Sequence, residues 1–279
     1  MDKSEEMKYK QQNMLHVPGK YQERLTRYNL KNILIALLFF IPALAFSADP
    51  EITIAKANKA YTDGFYDNAI ELYKSVINEG YESADLYYNL GNACYKQNDF
   101  TSAILYYEKA RKLDPGNEDV NFNLKIANTK ITDKIEPIPE LFYKRWYRAL
   151  IESYSADKWS KIGLLFLCLA LIAGLFYVIS RRLITRKTGF WLGIVFLFIS
   201  LFSFLFAWQN YNDIMHRKEA IIFSPTVTIK SSPDEKSVDL FVLHEGTKVE
   251  LIDNIGDWYE IRIANGSVGW LATSAVEKI

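Results

Sequence analysis

The sequence predicts a multidomain membrane protein built from α-helical repeats, a two-helix transmembrane hairpin and a C-terminal all-β barrel. Three observations carry that prediction: a self-similarity at a shift of 34 residues across positions 50–117, two uncharged apolar runs at 162–180 and 189–208, and a change from helical to alternating hydrophobic period from Ala220 onward. A chain of 279 residues that is 49% hydrophobic and 15% aromatic is long enough for two small domains and a membrane part. Lys plus Arg and Asp plus Glu both number 33, and a formal net charge of zero argues against counterion-releasing binding to nucleic acid.

The first apolar run, residues 33–46, spans about 14 residues, short of the roughly 20 that an ordinary spanning helix needs. It follows Arg24, Arg27 and Lys31 and ends in Ala45-Phe46-Ser47-Ala48, just before the acidic Asp49-Pro50-Glu51. That is the order of a secretory signal peptide. Residues 1–32 then form an N-terminal extension, and residues 33–48 are a signal peptide or, given Pro42 and the long extension, an uncleaved signal anchor. Either version exports the segment from Asp49 onward.

The later runs hold 19 and 20 residues without a charge, and the second contains thirteen Ile, Val, Leu or Phe. Those thirteen favour insertion by roughly 4–8 kcal/mol. Transmembrane helices are expected at 160–180 and 189–210. The loop between them, 181–188, carries Arg181, Arg182, Arg186 and Lys187 with no negative charge, which places it in the cytoplasm. Both flanking soluble parts must then lie outside, in agreement with the export signal. Residues 135–159 read as a linker and interfacial segment: Pro137 and Pro139 break the chain, and Arg145, Arg148 and the aromatics of 141–154 suit a helix lying at the bilayer surface.

Shifting residues 50–83 by one repeat aligns Asn58 with Asn92, Tyr61 with Tyr95, Ala69 with Ala103, Ile70 with Ile104 and Tyr73 with Tyr107 without a gap. The copies are 50–83 and 84–117, and 118–134 keeps Asn123 and Leu124 in register before stopping, as a capping helix would. Leu86, Leu90 and Ala93 recur at helical spacing, Gly91 and Ala103 are small where two helices approach, Asn98-Asp99 makes a turn, and Asp114-Pro115-Gly116-Asn117 ends the second helix. The second copy, with Tyr87, Leu90, Gly91, Phe100, Ala103, Tyr107, Ala110 and Pro115, resembles the tetratricopeptide repeat. The resemblance implies a concave protein- or peptide-binding face carrying Asn58, Tyr61, Tyr88, Asn92, Tyr95 and Lys96. Asparagine amides can hold a peptide backbone and tyrosines offer flat contact area, whereas the same spacing also suits packing between repeats. The residues leave both readings open.

From Ala220, Val227 and Ile229, then Val249 and Leu251, then Tyr259, Ile261 and Ile263 alternate with polar or outward positions, and Asn265-Gly266 is the strongest hairpin signal. Five or six short strands are expected within 217–279. The run Val227 to Pro233, Asp257-Trp258-Tyr259 and Gly269-Trp270-Leu271 resemble a bacterial SH3-like domain. In such modules one tryptophan packs the core and another lines a ligand groove, so Trp258 and Trp270 are candidate contacts for a peptide or a cell-wall strand.

Catalysis has no support in the residues. The histidines His16, His216 and His244 are scattered, no second His, Cys or convergent carboxylate is evident beside His244, and no nucleophile or metal motif occurs. Cys94 and Cys168 read as core residues without metal-ligand spacing, and no cofactor is expected. The whole order of segments, with Leu90-Gly91-Asn92, the Arg181-Arg182 turn and the Leu243 to Gly246 segment, resembles the BatE-like family of the Bacteroides aerotolerance (Bat) operon. That implies a non-catalytic inner-membrane adaptor with its soluble domains in the periplasm. Its implied partners are Bat proteins with von Willebrand A-type domains, a BatD-like protein and, indirectly, a MoxR-type ATPase. The other reading is a cell-wall-binding tether acting through the SH3-like part.

Overall fold

The computed structural model describes residues 49–279, so the extension and signal segment expected at 1–48 lie outside the described residues. Helices α1 (Asp49–Thr62) and α2 (Tyr66–Asn78) form one hairpin, α3 (Ala84–Lys96) and α4 (Phe100–Leu113) a second, and α5 (Glu118–Ala127) closes the array. Local chemistry sets the starts: the side chains of Ser83, Asp99 and Asn117 accept hydrogen bonds from the backbone N–H groups of Leu86, Ser102 and Val120. The hairpin turns are alike. Gly64 and Asn98, one repeat apart, both take the left-handed conformation, with φ of 85° and 61°, which glycine and asparagine adopt at least expense.

Leu86, Leu90 and Ala93 pack with Ala69, Tyr73 and Val76 on one side and Ala103, Ile104 and Tyr107 on the other. Gly91 is required by the Tyr107 ring, which would stand 2.7 Å from a Cβ at that position. One repeat later that place is taken by the exposed Lys125, and Asn121 and Asn128 beside it are exposed too. The face of α5 that would receive a further helix is therefore polar, while Val120, Leu124 and Ala127 are buried against the second repeat.

A short helix, α6 (Phe142–Ile151), precedes two long ones, α7 (Ala156–Ile179) and α8 (Leu183–His216). With mean hydropathies of 2.8 and 2.5, α7 and α8 are long and apolar enough to cross a membrane. They pack side by side: Ser200 Oγ donates to the Gly163 carbonyl at 2.9 Å, and the Phe166 and Phe196 rings are 5.7 Å apart. The connection is shorter than the expected loop. Only residues 180–182 lie outside helix, and Arg186 and Lys187 ride on the opening turns of α8, because no helix breaker stands between Leu183 and Gly189. Cys168 faces outward from α7, contrary to its reading as a core residue, whereas Cys94 is buried.

The C-terminal part forms seven strands, more than expected: β1 (Glu219–Ile222), β2 (Thr226–Lys230), β3 (Asp239–His244), β4 (Lys248–Ile255), β5 (Trp258–Arg262), β6 (Val268–Ala272) and β7 (Val276–Lys278). They make one antiparallel sheet in the order β3-β2-β6-β5-β4-β1-β7. Ala220, Ile229, Leu243, Val249, Ile261 and Leu271, from six strands, share one buried cluster, so the sheet wraps around its own core. Asn265-Gly266 turns β5 into β6 with Gly266 at φ 88°.

The sheet docks on the back of the repeats. Ile221 of β1 is buried in the same cluster as Ile104 and Leu105 of α4, with Phe223, Ile131 and Ile279 packed around it. Lys112 Nζ donates to the Ile279 carbonyl at 2.9 Å. The segment after α5 runs along the sheet, where the Ile138 N–H donates to the Ala264 carbonyl at 3.1 Å. The repeats also rest on the end of the α7–α8 hairpin: Lys158 pairs with Asp114 at 2.7 Å, and Gly116 meets the Ser153 backbone so closely that a Cβ has no room.

Candidate functional site

Along the first helices of the repeats, one hydrogen-bond pattern occurs twice. Asn58 Oδ1 accepts from the Tyr73 hydroxyl at 2.6 Å and from Asn89 Nδ2 at 3.4 Å. One repeat on, Asn92 Oδ1 accepts from the Tyr107 hydroxyl at 2.7 Å and from Asn123 Nδ2 at 2.9 Å. Tyr73 and Tyr107 are each 1% exposed, and a hydroxyl so buried needs an acceptor. Burial, with Tyr61 nearby, pushes the Tyr73 hydroxyl up to about 12, and burial raises Tyr107 as well, so both remain protonated donors. Asn58 and Asn92 thus lock second helix to first and repeat to repeat. Among the described residues their Nδ2 groups donate to no protein acceptor.

The remaining expected residues share this face. Tyr61 rests edge-on against Tyr66 at 5.4 Å, and Tyr95 repeats the contact with Phe100 at 5.3 Å. Tyr88 is half-buried and its hydroxyl accepts from Asn123 Nδ2 at 3.0 Å, while Lys96 is exposed. Three further members were not assigned to this face from the sequence. Asn89 and Asn123 complete the two ladders, and Phe122, 64% exposed, stands one repeat beyond Tyr88. The 34-residue shift had already carried Asn123 into register, and applied to Tyr88 it would have found Phe122.

On the sheet, Trp258 pairs with Ala272 and Trp270 with Glu260, so the two tryptophans are diagonal neighbours on one face. Tyr259, Ile261 and Leu271 point the other way, and Ile261 and Leu271 are fully buried. Neither tryptophan belongs to the buried core; both are half-buried on the outer face, where Lys230 of β2 also pairs with Trp270.

His244 does have a convergent carboxylate, contrary to the sequence reading. Asp133, from the segment after α5, accepts from the His244 N–H and the Thr247 hydroxyl, each at 2.7 Å, and its Oδ1 lies 2.8 Å from His244 Nδ1. Nearby, Glu108 of α4 is buried with its carboxylate 2.6 Å from Arg111 and 3.0 Å from Lys248 Nζ, which also reaches Glu219 at 2.7 Å. Both clusters join the repeats to the sheet.

Comparison with known families agrees with this architecture. Residues 54–118 match the model of the tetratricopeptide repeat, and residues 225–277 that of the bacterial SH3 domain. The chain carries tetratricopeptide repeats and a bacterial SH3 domain. The curated proteins give no match. Among solved structures, one titled "Crystal structure of MamA" aligns at 15% identity and a TM-score of 0.29 over 59% of this chain and 80% of that one.

Tetratricopeptide repeats and a bacterial SH3 domain suggest interaction with proteins or cell-wall material. Thr247 donates to Asp133 and not to the imidazole. Burial, with Asp99 nearby, pushes the Cys94 thiol up to about 12, which keeps it unreactive. Among the described residues no group of three or more His, Cys, Asp or Glu is placed to hold a metal.

Proposed function

We propose that this protein is a non-catalytic adaptor of the bacterial inner membrane. In this reading α7 and α8 span the bilayer, the basic turn at Arg181, Arg182, Arg186 and Lys187 lies in the cytoplasm, and the repeats and SH3 domain work together in the periplasm. The observation that carries the proposal is the division of faces. The back of the array, α4, is taken up by the SH3 domain, while the face of α1, α3 and α5 stays open with its unused Asn58 and Asn92 amides, the half-buried Tyr61 and Tyr95, and the exposed Lys96 and Phe122. Such a face suits an extended peptide segment of a partner protein: amide N–H groups meet its carbonyls and the aromatics cover its side chains. The docking also supports the topology, since two domains in contact must share one side, and a two-span hairpin meets that condition.

The order of segments supports placing this adaptor in a Bat-type envelope complex, with von Willebrand A-type and BatD-like proteins as its partners and a MoxR-type ATPase acting indirectly. A second reading, a tether to the cell wall, is favoured by the outer-face position of Trp258 and Trp270.

In-cell photocrosslinking from Tyr95, Lys96 and Phe122, with the exposed Glu71 of α2 as comparison, tests the proposal. Glu108 is unsuited as a comparison because it is buried between Arg111 and Lys248. A discrete protein captured from the first-helix face alone supports the adaptor. No capture there, with retention of the protein on isolated cell wall that is lost when both tryptophans are replaced, supports the tether instead.

A further inference from the structure

Helix α6 has a use that neither module explains. Phe142, Trp146 and Leu150 recur every fourth residue, with Tyr143 and Tyr147 beside them, and all five are 46–78% exposed. Lys144 and Arg148 occupy the opposite side, and Arg148 pairs with Glu140 at 2.8 Å. A ten-residue helix with one wholly exposed aromatic stripe and one cationic side needs an apolar, anion-bearing partner surface.

The structure ties this helix to one end of the long hairpin. The Ile151 carbonyl accepts from Trp159 Nε1 and from Asn210 Nδ2, each at 3.0 Å, and the Tyr154 carbonyl takes the other Asn210 N–H at 2.9 Å. The Tyr147 hydroxyl donates to Gln209 Oε1 at 2.8 Å. Asn210 is itself buried, so the junction is built and not incidental. These bonds hold α6 level with Trp159 and Trp208, where the apolar part of the hairpin ends. The exposed stripe thus lies at the end of the hairpin marked by Trp159 and Trp208.

We propose that α6 lies in the plane of the membrane surface, its stripe of Phe142, Trp146 and Leu150 sunk to the headgroup boundary, Arg145 at the flank of the stripe among the lipid phosphates and Lys144 turned to water, so that it seats the repeat–SH3 body against the bilayer. The proposal rests on the reading of α7 and α8 as spans. The bilayer is the occupant because the stripe is held at the end of the hairpin's apolar segments and because aromatic rings flanked by cations match the headgroup level.

The test uses the full chain with Cys168 replaced by alanine, in vesicles of phosphatidylethanolamine and phosphatidylglycerol. A fluorophore is attached at Trp146→Cys, Phe142→Cys, Lys144→Cys and Val195→Cys in turn, and quenching by shallow and deep spin-labelled lipids is compared. Positions 142 and 146 should be quenched several-fold more by the shallow label than position 144, and position 195 by the deep label. If 142 and 146 are quenched no more than 144 while 195 responds to the deep label, α6 faces water or a protein and the proposal is wrong, with the spanning reading intact. Absence of quenching at 195 overturns the spanning reading and this proposal together.

Discussion

Asp133 and His244 close a clasp between the repeat array and the SH3 domain. The carboxylate takes three hydrogen bonds, from the backbone and ring of His244 and from Thr247, while Ile131, two residues before it, fills the space against Gly246 at the end of the same turn. Burial raises the Asp133 carboxyl, but the bonds from His244 and Thr247 outweigh it and hold the group below its ordinary value of 3.8.

Asp133→Ala should therefore loosen the docking by about 1.5–3 kcal/mol, the range for hydrogen bonds to a charged group, and speed hydrogen exchange in the segment after α5 by about tenfold to a hundredfold. Because the folded value is depressed, the stabilisation is present above 3.8 and is lost as pH falls through the lower folded value. The wild-type docking should weaken below about pH 4, and Asp133→Asn should flatten that dependence. Equal acid sensitivity in wild type and Asp133→Asn would remove the clasp from the account.

The second bridge predicts a coupling. Lys248→Met leaves the buried Glu108 with Arg111 alone and should cost about 1–3 kcal/mol, read from thermal unfolding of the purified protein. Adding Glu108→Gln should restore part of that loss, with a coupling of about 0.5–3 kcal/mol in the double-mutant cycle. Strictly additive losses would show that the pair contributes nothing to the docking.

Within the repeats the test is steric. A methyl group at Gly91 would meet the Tyr107 ring at 2.7–2.8 Å, so Gly91→Ala should destabilise the array by about 1–3 kcal/mol despite alanine's better helix propensity. The same place one repeat earlier holds Ala57, fully buried with its methyl accommodated. Ala57→Gly should cost only about 1 kcal/mol, and circular dichroism melts of the two variants should differ in that order.

Locality decided how much could be foreseen. The 34-residue shift, the uncharged runs and the Asn265-Gly266 turn are patterns within a few tens of residues, and each became an element of the fold. The docking left no such trace. Asp133 and His244, or Glu108 and Lys248, are joined across more than a hundred residues, and Glu108 looks like any charge on a solvated helix face. The same limit held on the candidate site. The resemblance put Asn58 and Asn92 on one face, but whether their carbonyls were occupied depended on tyrosines of the next helix, which only the packed hairpin settles.

The two tryptophans separate folding from binding. Ile261→Ala, at a fully buried position, should cost about 2–5 kcal/mol and unfold much of the SH3 domain. Replacing Trp258 and Trp270 together by alanine should cost less, because both lie half-buried on the outer face. If that double variant stays folded yet loses retention on isolated cell wall, the tether gains weight. Undiminished retention assigns the tryptophan face to structure alone.

Topology is tested by alkaline phosphatase, which needs an oxidising compartment for its disulfides. Fused after Ile279 it should be active, and fused after Lys187, at the basic end of the hairpin, it should be inactive. The reverse pattern would put both soluble domains in the cytoplasm and leave their docking untouched, since they would still share a side. Activity at both positions is the more damaging result. It would mean that α8 does not cross the bilayer, and with only α7 left as a span the contact of Ile221 with Ile104 and Leu105 would have to reach through the membrane, which no buried cluster can do.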